Sequence, residues 1–333
     1  MPHRLEFRRY SLPFRSAVRT AHGPWPVREG LIIRTEDEAG RVGYGEAAPI
    51  PWFGSETVEE DVAGLVGLGG AVDAGSLQRI DERLGSLRFA VACALGAEQG
   101  LLPAVQRLPV ASLLPAGKAA CAAADQALEA GYVAFKWKVG VLDDADERVI
   151  LDDLLARLPG HVKLRLDANG AWTTRRAMKW LACCAERPIE FVEQPVAPDA
   201  VDALAGLAAD YPTTLALDES VAGLPGLRTW LGRGWRGVLV VKPALAGDPA
   251  SLMALLGKHQ PDVVFSSALE TSIGRQTALR AAFAYKNTPP RALGFGVGPL
   301  FQDERFDAPS PGAFLTPGQA SPADAEALWN ALN

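Results

Sequence analysis

The sequence predicts an α/β fold in which a (β/α)-barrel of the TIM type, eight-stranded or modified to seven or eight strands, carries an α+β capping domain. Two observations lead to this prediction. From about residue 108, short apolar segments alternate with Ala- and Leu-rich helical stretches, as parallel strands joined by crossover helices do. The first hundred residues lack this alternation, and a chain of 333 residues is long enough for a barrel with an additional unit.

The capping domain is predicted over residues 1–104, completed by residues 300–333. Its first 45 residues contain short alternating segments that are typical of strands. Residues 56–104, including segment 76–85, have helical spacing, and Ser55 is available as an N-cap. The last thirty residues are rich in Pro and Gly and end in a short amphipathic stretch. We expect that stretch to form a helix that packs back on the first unit.

The barrel is predicted over residues 105–299, where eight segments have the composition of strands covered on both faces. A doubly wound open sheet is the rival architecture, but no GxGxxG follows the first predicted strand. The eight segments are PVASLLP, YVAFKWKVG, VKLRLDANG, IEFVEQP, TLALDES, GVLVVKP, DVVFSSALE and ALGFGVG.

Composition excludes several classes of protein. The formal net charge of −6 argues against a nucleic-acid partner, which requires a basic surplus. No apolar run approaches the roughly 20 residues that span a bilayer, and the charged N-terminus does not resemble a signal peptide. The four cysteines and four histidines are not spaced as zinc ligands. We therefore expect a soluble cytoplasmic enzyme that acts on a small molecule, and the sequence does not indicate its oligomeric state.

Charged and polar side chains recur where the predicted strands end. Successive positions are separated by 24 to 29 residues, which is the length of one βα unit in a compact barrel. Because the carboxyl ends of barrel strands meet at one mouth, these side chains should converge where barrel active sites are built. In chain order they are Lys136 and Lys138, Asp167 and Asn169, Glu193, Asp218 and Glu219, Lys242, and Ser266 with Ser267.

The order of these residues indicates a chemistry. Asp167, Glu193 and Asp218 on neighbouring strands would repel one another, and oxygen-only ligation favours Mg²⁺ over zinc as the ion that relieves the repulsion. A lysine crowded by a second lysine and by a metal is expected to have a lowered pKa, which suits a general base. Protons next to a carboxylate are very weakly acidic, so their removal requires such stabilisation. The pattern therefore predicts metal-assisted proton abstraction.

These segments resemble the enolase superfamily, in its muconate-lactonising subgroup, over essentially the whole chain. The resemblance rests on Lys136-Trp137-Lys138, LRLDANGAW, EFVEQP, LALDES and VVKP. Within the subgroup, FKWKVG, FSSALETSIG and GFGVGPLFQDE are similar to the o-succinylbenzoate synthase family, notably its cyanobacterial-type members. That resemblance implies dehydration of 2-succinyl-6-hydroxy-2,4-cyclohexadiene-1-carboxylate to o-succinylbenzoate, a step in menaquinone or phylloquinone biosynthesis.

The resemblance also implies a role for each lysine. Lys138 would abstract the proton α to the substrate carboxylate and then protonate the departing hydroxide on the same face. Lys136 would hydrogen-bond the substrate carboxylate and depress the pKa of Lys138. Lys242 would lie on the opposite face, where its ammonium would stabilise the planar enediolate.

The remaining implied roles concern the metal and the substrate's succinyl arm. Asp167, Glu193 and Asp218 would bind Mg²⁺, with Mn²⁺ a possible substitute, and Asn169 and Glu219 would orient groups around them. The capping loops and the last barrel strands would hold the succinyl arm. The candidates for that contact are Arg19, Thr20, His22, Pro51, Trp52, Phe53, Ser266, Ser267, Gly296 and Gly298.

Other functions are compatible with the same residues. An N-succinylamino acid racemase or a dipeptide epimerase would use Lys138 and Lys242 as two bases. Dipeptide epimerases usually carry an acidic motif in the last strand, whereas GFGVGPL has no acid before Asp303. A muconate cycloisomerase is a third option. A non-catalytic binding protein is disfavoured because the lysines and carboxylates form a complete set.

Overall fold

The computed structural model describes residues 2–20, 23–287, 290–320 and 324–332. The N-terminal part of the chain forms an antiparallel sheet in the order β3-β2-β1-β4, as the alternating segments predict. Its strands are β1 (His3–Thr20), β2 (Gly23–Glu36), β3 (Val42–Ala47) and β4 (Ala71–Val72).

Two helices, α1 (Val58–Leu68) and α2 (Gly85–Ala94), pack on this sheet, and two predictions in this region are wrong. The N-cap of α1 is Thr57 and not Ser55, because Thr57 and Glu60 bond reciprocally to each other's backbone N–H groups. The predicted helix over 76–85 is instead a 3₁₀ helix, Ala74–Arg79. Asp73 caps it through the amide of Ser76, which satisfies the short turn locally.

The barrel begins after β5 (Leu108–Pro109), which pairs with β13 (Phe314–Leu315). Among the described residues, seven parallel strands follow one another in sequence order around the sheet. They are β6 (Ser112–Leu114), β7 (Ala134–Lys138), β8 (Lys163–Asp167), β9 (Ile189–Glu193), β10 (Leu215–Leu217), β11 (Val238–Val241) and β12 (Val263–Phe265). The helices that cover them are α3 (Ala119–Glu129), α4 (Asp144–Arg157), α5 (Thr174–Ala185), α6 (Val201–Asp210), α7 (Leu224–Gly232), α8 (Pro249–His259) and α9 (Ser272–Ala284).

The eighth predicted strand is reduced to two residues that close the barrel. Leu293 bridges in parallel to Val110, and Gly294 bridges in parallel to Ser266. Glycine is needed at 294, because a Cβ there would lie 2.4 Å from the Ser266 hydroxyl oxygen. The prediction of a barrel with seven to eight strands is thus confirmed, and the seam between its first and last strands is very short.

The barrel interior below the mouth is filled partly by an ion pair. Arg165 lies on β8 two residues before Asp167 and is buried. Its Nε donates to Glu190 at 2.6 Å, and its guanidinium also donates to the Ala292 carbonyl at 2.8 Å. Arg291 donates to the other oxygen of Glu190 at 2.7 Å. These bonds hold the layer of side chains that lies directly below the strand-end residues.

The last described segment returns to the first sheet. Helix α10 (Ala325–Asn330) places Trp329 against the cap sheet, where Arg8 donates to its carbonyl at 2.6 Å and lies over its ring. Phe301 stacks on Phe14 at 5.7 Å between ring centroids. In the part of the chain that the structure describes, no helix has the length and apolarity needed to cross a membrane.

A pair of acidic side chains is buried inside the cap. Glu56 accepts hydrogen bonds from the amides of Ser86 and Leu87 at 2.6 and 3.1 Å, so it caps α2. Its second oxygen and both oxygens of Asp61 have no donor among the described residues. The two carboxyl groups contact each other, and burial and the charge of Glu56 raise the pKa of Asp61 to about 9. This contact is favourable only while one of the pair holds a proton.

This pair predicts that the protein loses stability as the pH rises. The folded state retains a proton that the unfolded chain releases above its ordinary pKa of 3.8, so this stabilisation declines as the pH rises toward 9. Asp61→Asn should remove the decline, because the introduced amide is neutral and can donate to Glu56. We expect the variant to gain at least about 1.4 kcal/mol over wild type between pH 5 and pH 8.5 in urea unfolding.

Glu59→Gln supplies the control, since Glu59 lies on the same helix but is exposed and pairs with Arg9 at the surface. That variant should follow the wild-type pH dependence. Parallel curves for Asp61→Asn and wild type would contradict the prediction.

Candidate active site

A cavity of about 550 Å³ lies at the carboxyl ends of the barrel strands, beneath two loops of the cap. The first cap loop contributes Arg19 and Thr20, and the second contributes Ile50, Trp52 and Phe53. Eleven of the residues predicted from the strand ends or the first cap loop line it: Arg19, Thr20, Lys136, Lys138, Asp167, Asn169, Asp218, Glu219, Lys242, Ser266 and Ser267. Glu193 lies behind them. These predicted residues therefore lie together at one mouth of the barrel.

Strand register brings the central residues to one level. In the parallel sheet, Lys138 is the partner of Asp167, and Asp167 is the partner of Glu193. Lys136 and Lys138 are two residues apart on β7, so both side chains point to the same face. Three adjacent strands thus end in a base and two acids side by side.

The ammonium of Lys136 lies between two carboxylates. Its Nζ is 2.8 Å from Asp167 and 2.6 Å from Glu193. Burial alone would lower the pKa of Lys136, but the charges of Asp167, Glu193 and Asp218 outweigh it and raise that pKa well above its usual value. The nearest charges to Lys136 are negative, so its surroundings differ from those expected of the general base, a lysine beside a second lysine and a metal.

The carboxyl groups are destabilised as anions by the same burial. The pKa of Glu193 is raised by burial and by the negative charge of Asp167, and Lys136 opposes the shift only in part. The pKa of Asp218 is raised by burial, against the opposing charge of Lys242. The side chains of Glu193 and Asp218 are almost fully buried. The site therefore contains more negative charge than its lysines neutralise.

The amino group of Lys242 makes two contacts. Its Nζ forms an ion pair with Asp218, and it lies 3.9 Å from the ring centroid of Phe53. Phe53 belongs to the second cap loop, so the cap contributes one face of this lysine's surroundings. An ammonium group over an aromatic face gains electrostatic stabilisation.

Lys138 is less constrained. Its Nζ donates a long hydrogen bond, of 3.4 Å, to the carbonyl of Arg19 in the first cap loop. The Arg19 side chain itself is exposed at the rim of the cavity. Lys138 is thus the site lysine whose amino group opens most directly into the cavity.

Asn169 and Glu219 contact each other beside the carboxylates. The Asn169 amide donates to Glu219 at 3.3 Å, and the Asn169 backbone N–H donates to Asp167 at 3.0 Å. Gln194 was not among the predicted site residues. Its side-chain oxygen accepts from the amide of Asp218 at 3.0 Å, and its side-chain nitrogen donates to Ser220 at 2.8 Å. A buried amide side chain directly after a strand-end acid was the available signal.

Only some of the candidates for contact with the succinyl arm line the cavity. Trp52 lines the cavity with its ring edge-to-face against Trp25 at 4.7 Å. The Ser266 and Ser267 hydroxyls line it but already donate, to the Gly294 carbonyl and to Glu270 respectively. Gly296 and Gly298 do not line the cavity, whereas Gly294 and Val297 of the same segment do.

The position of Gly296 has a packing reason. A Cβ at Gly296 would lie 2.1 Å from the Ala111 carbonyl oxygen, so this glycine permits close packing on the residue directly before the first barrel strand. Of the other candidates, Thr20 and Phe53 line the cavity, Pro51 does not, and His22 lies outside the described residues.

The residues fit a hard dication by their chemistry. Every candidate ligand is a carboxylate oxygen, and one oxygen of Glu219 is buried without a hydrogen-bond partner among the described residues. The four carboxyl groups of Asp167, Glu193, Asp218 and Glu219 outnumber the three amino groups of Lys136, Lys138 and Lys242. In the described residues no three such side chains converge on one point as they stand, since the Lys136 ammonium lies between Asp167 and Glu193.

A larger cavity, of about 680 Å³, lies between α9 and the C-terminal segment. Arg275, Asp307 and Leu328 are among its lining residues, and none of the predicted site residues lines it. The concentration of strand-end acids and lysines therefore distinguishes the smaller cavity as the candidate active site.

Comparison with known proteins agrees with this architecture. Residues 3–98 match the family described as MenC, N-terminal domain, and residues 119–311 match the family described as Enolase C-terminal domain-like. An o-succinylbenzoate synthase of Thermosynechococcus vestitus is 42% identical over 299 residues, which cover 88% of this chain and 92% of that protein. The o-succinylbenzoate synthase of Yersinia enterocolitica is 31% identical, over 82% of this chain and 84% of that protein.

Solved structures show the same relationship. The o-succinylbenzoate synthase from Thermosynechococcus elongatus, complexed with Mg in its active site, superposes with a TM-score of 0.86 at 40% identity and covers 98% of this chain and 99% of that one. The L-Ala-D/L-Glu epimerase from Bacillus subtilis has a TM-score of 0.81 at 24% identity, over 94% and 95% of the two chains, and shares the fold. The chain described here belongs to the enolase superfamily and, within it, to the o-succinylbenzoate synthase family.

Proposed function

We propose that this chain dehydrates 2-succinyl-6-hydroxy-2,4-cyclohexadiene-1-carboxylate to o-succinylbenzoate, and so serves menaquinone or phylloquinone biosynthesis. The 42% identity with an o-succinylbenzoate synthase supports this reaction, and so does the match to a MenC N-terminal domain. The observation that carries the proposal is the unequal setting of two lysines in one cavity. Lys138 opens into it beside Asp167, whereas Lys242 is paired with Asp218 and lies over the ring of Phe53.

This inequality suits a reaction with one base. Lys138, in its neutral form, takes the proton from the carbon next to the substrate carboxylate, and the electron pair moves into that carboxylate. When the ring C–O bond then breaks, the same lysine returns its proton to the departing hydroxide, which leaves as water. The ring becomes aromatic, and Lys138 is neutral again.

Lys242 contributes charge rather than proton transfer. Its ammonium stabilises the negative charge that develops on the substrate after deprotonation. A racemase or epimerase would instead need Lys242 as a second base on the opposite face. Lys242 is paired with Asp218 and lies over the ring of Phe53, and it would have to give up both contacts to act as a base, so they argue against that alternative.

Asp167, Glu193 and Asp218 would hold Mg²⁺, and Mn²⁺ could replace it. The bound ion supplies positive charge that lowers the energy of the substrate's carboxylate as it takes up the electron pair. Asn169 and Glu219 would orient these side chains. The excess of carboxyl groups over lysines and the unpartnered oxygen of Glu219 support this assignment. We place the enzyme in the cytoplasm as a further part of the proposal, with a small carboxylate as its partner.

The activity is tested by ultraviolet absorbance, because the product ring is aromatic and the substrate ring is not. Purified protein with Mg²⁺ should convert the cyclohexadiene carboxylate to o-succinylbenzoate. The same preparation should racemise N-succinyl amino acids far more slowly. Efficient racemisation without dehydration would overturn the proposal in favour of the two-base alternative.

Replacing the proposed base should abolish turnover while the fold is retained. Lys138→Ala should lower kcat by about 10²- to 10⁴-fold, the range that a general base contributes. Lys163→Ala is the matched control, because Lys163 is exposed at the opposite end of the adjacent strand. A Lys138→Ala enzyme with wild-type kcat would exclude Lys138 as the base.

Chelation should reversibly abolish activity. We expect EDTA-treated enzyme to be inactive and to recover on addition of Mg²⁺ or Mn²⁺. Glu193→Gln should require a metal concentration at least tenfold higher for half-maximal activity, since it removes one anionic ligand. Glu186→Gln, at the exposed end of α5, should not change this concentration. Full activity in EDTA would contradict the assignment of the carboxylates.

A further inference from the structure

A buried arginine lies where the cap sheet meets the barrel mouth. Arg28, on β2, is 1% exposed, and its hydrogen-bond acceptors among the described residues are backbone carbonyls. On the cap side it donates to Ala48 and, at 2.7 Å, to Pro49. On the barrel side it donates to Leu269 at 3.2 Å and Ala268 at 3.4 Å. One guanidinium thus joins two segments that are far apart in sequence.

Both segments lead directly to the active-site cavity. Ala48 and Pro49 precede the loop of Ile50–Phe53, which lines the cavity and places Phe53 on Lys242. Ala268 and Leu269 line the cavity themselves, after the last strand of the barrel sheet. Arg28 also lies 5.1 Å from the ring centroid of Trp25, another residue of the cavity wall. Three parts of the wall therefore depend on the same side chain.

The barrel segment has a conformation that needs such support. Leu269 has φ +58°, in the left-handed region that a leucine adopts only under constraint. Inside the segment, its amide donates to the Ser267 hydroxyl at 2.9 Å, and the Ala268 amide donates to Glu270 at 2.5 Å. The carbonyls of Ala268 and Leu269 accept from Arg28 instead, so the arginine satisfies the backbone groups of the turn that the segment itself does not.

The other end of this segment is fixed by a different residue of the cap. Glu46, on β3, accepts from the Thr271 amide at 2.9 Å, from the Thr271 hydroxyl at 2.5 Å and from the Gly274 amide at 2.9 Å. These bonds fasten the start of α9 to the cap sheet. Because Glu46 maintains the junction of cap and barrel, the effect of Arg28 on the cavity wall is separable from domain association.

We propose that Arg28 is a positioning residue that sets the relative placement of the Ile50–Phe53 loop and the Ala268–Leu269 turn, and thereby the wall against which the substrate binds. The proposal rests on the dehydratase function proposed above. Arginine suits this role because its planar fork offers five donors to carbonyls in several directions. A lysine carries three donors on one nitrogen and cannot reach both segments in the same geometry.

Two variants of Arg28 and one control test the proposal. Arg28→Met and Arg28→Lys should each raise KM for the cyclohexadiene carboxylate at least tenfold, and kcat should fall much less than kcat/KM, because Lys138 and the carboxylates remain in place while the Ile50–Phe53 loop shifts. Arg34→Met is the control, since Arg34 lies on the same strand but pairs with Glu6 and Glu36 away from the cavity. It should leave both constants within twofold of wild type.

Hydrogen exchange supplies a readout that does not depend on turnover. In Arg28→Lys, the amides of 52–54 and 267–271 should exchange at least tenfold faster than in wild type, with those of β8 unchanged. Unchanged KM and unchanged exchange would overturn the proposal. Uniformly faster exchange along the chain, with kcat falling as much as kcat/KM, would also overturn it by showing a purely structural role. If wild-type protein lacks dehydratase activity, the proposed function fails, and the exchange result alone decides the role of Arg28.

Discussion

The arrangement of this protein depends on one electrostatic constraint, which is the burial of several carboxylates at the mouth of a barrel. Three neighbouring strands have an acidic residue at their carboxyl end, namely Asp167, Glu193 and Asp218, and these side chains are almost fully buried. Like charges in such a place are tolerable only if cations accompany them. Lys136 and Lys242 provide part of that charge, and the remainder is what a dication would supply. The ion pairs and the pKa shifts at the mouth follow from this concentration of charge.

Much of the site could be predicted because barrel geometry converts a spacing in sequence into a position in space. A charge at the end of each successive strand must reach the same mouth, whatever the intervening helices contain. Phe53 illustrates what spacing does not reveal. It was a candidate for the substrate arm, but its contact with Lys242 joins residues from two domains and leaves no periodic trace. The roles of Arg28 and Glu46 could not be predicted for the same reason, since each is one charged residue in an ordinary alternating strand.

The errors in the fold have local causes. Thr57 displaced Ser55 as the cap of α1 because only Thr57 has a glutamate three residues later. Segment 74–79 has helical composition, yet Asp73 closes a tighter turn there. The last barrel strand is reduced to Leu293 and Gly294, and a Cβ at Gly294 or Gly296 would lie within 2.4 Å of a neighbouring oxygen atom. The two helix outcomes each depend on a single side chain, which a pattern averaged over ten residues does not register.

The contact between Arg8 and Trp329 joins residues 321 positions apart. All residues between them, including the entire barrel, must be synthesised before Trp329 can pack on the first sheet. The residues of the cap sheet therefore leave the ribosome first, but the segment that covers them emerges only when almost the whole chain has been made. During that interval the apolar face formed by Tyr10, Leu12, Phe14 and Ile32 lacks its partners Phe301 and Leu328. The order of synthesis thus makes the first part of the protein to appear the last to become fully protected from aggregation.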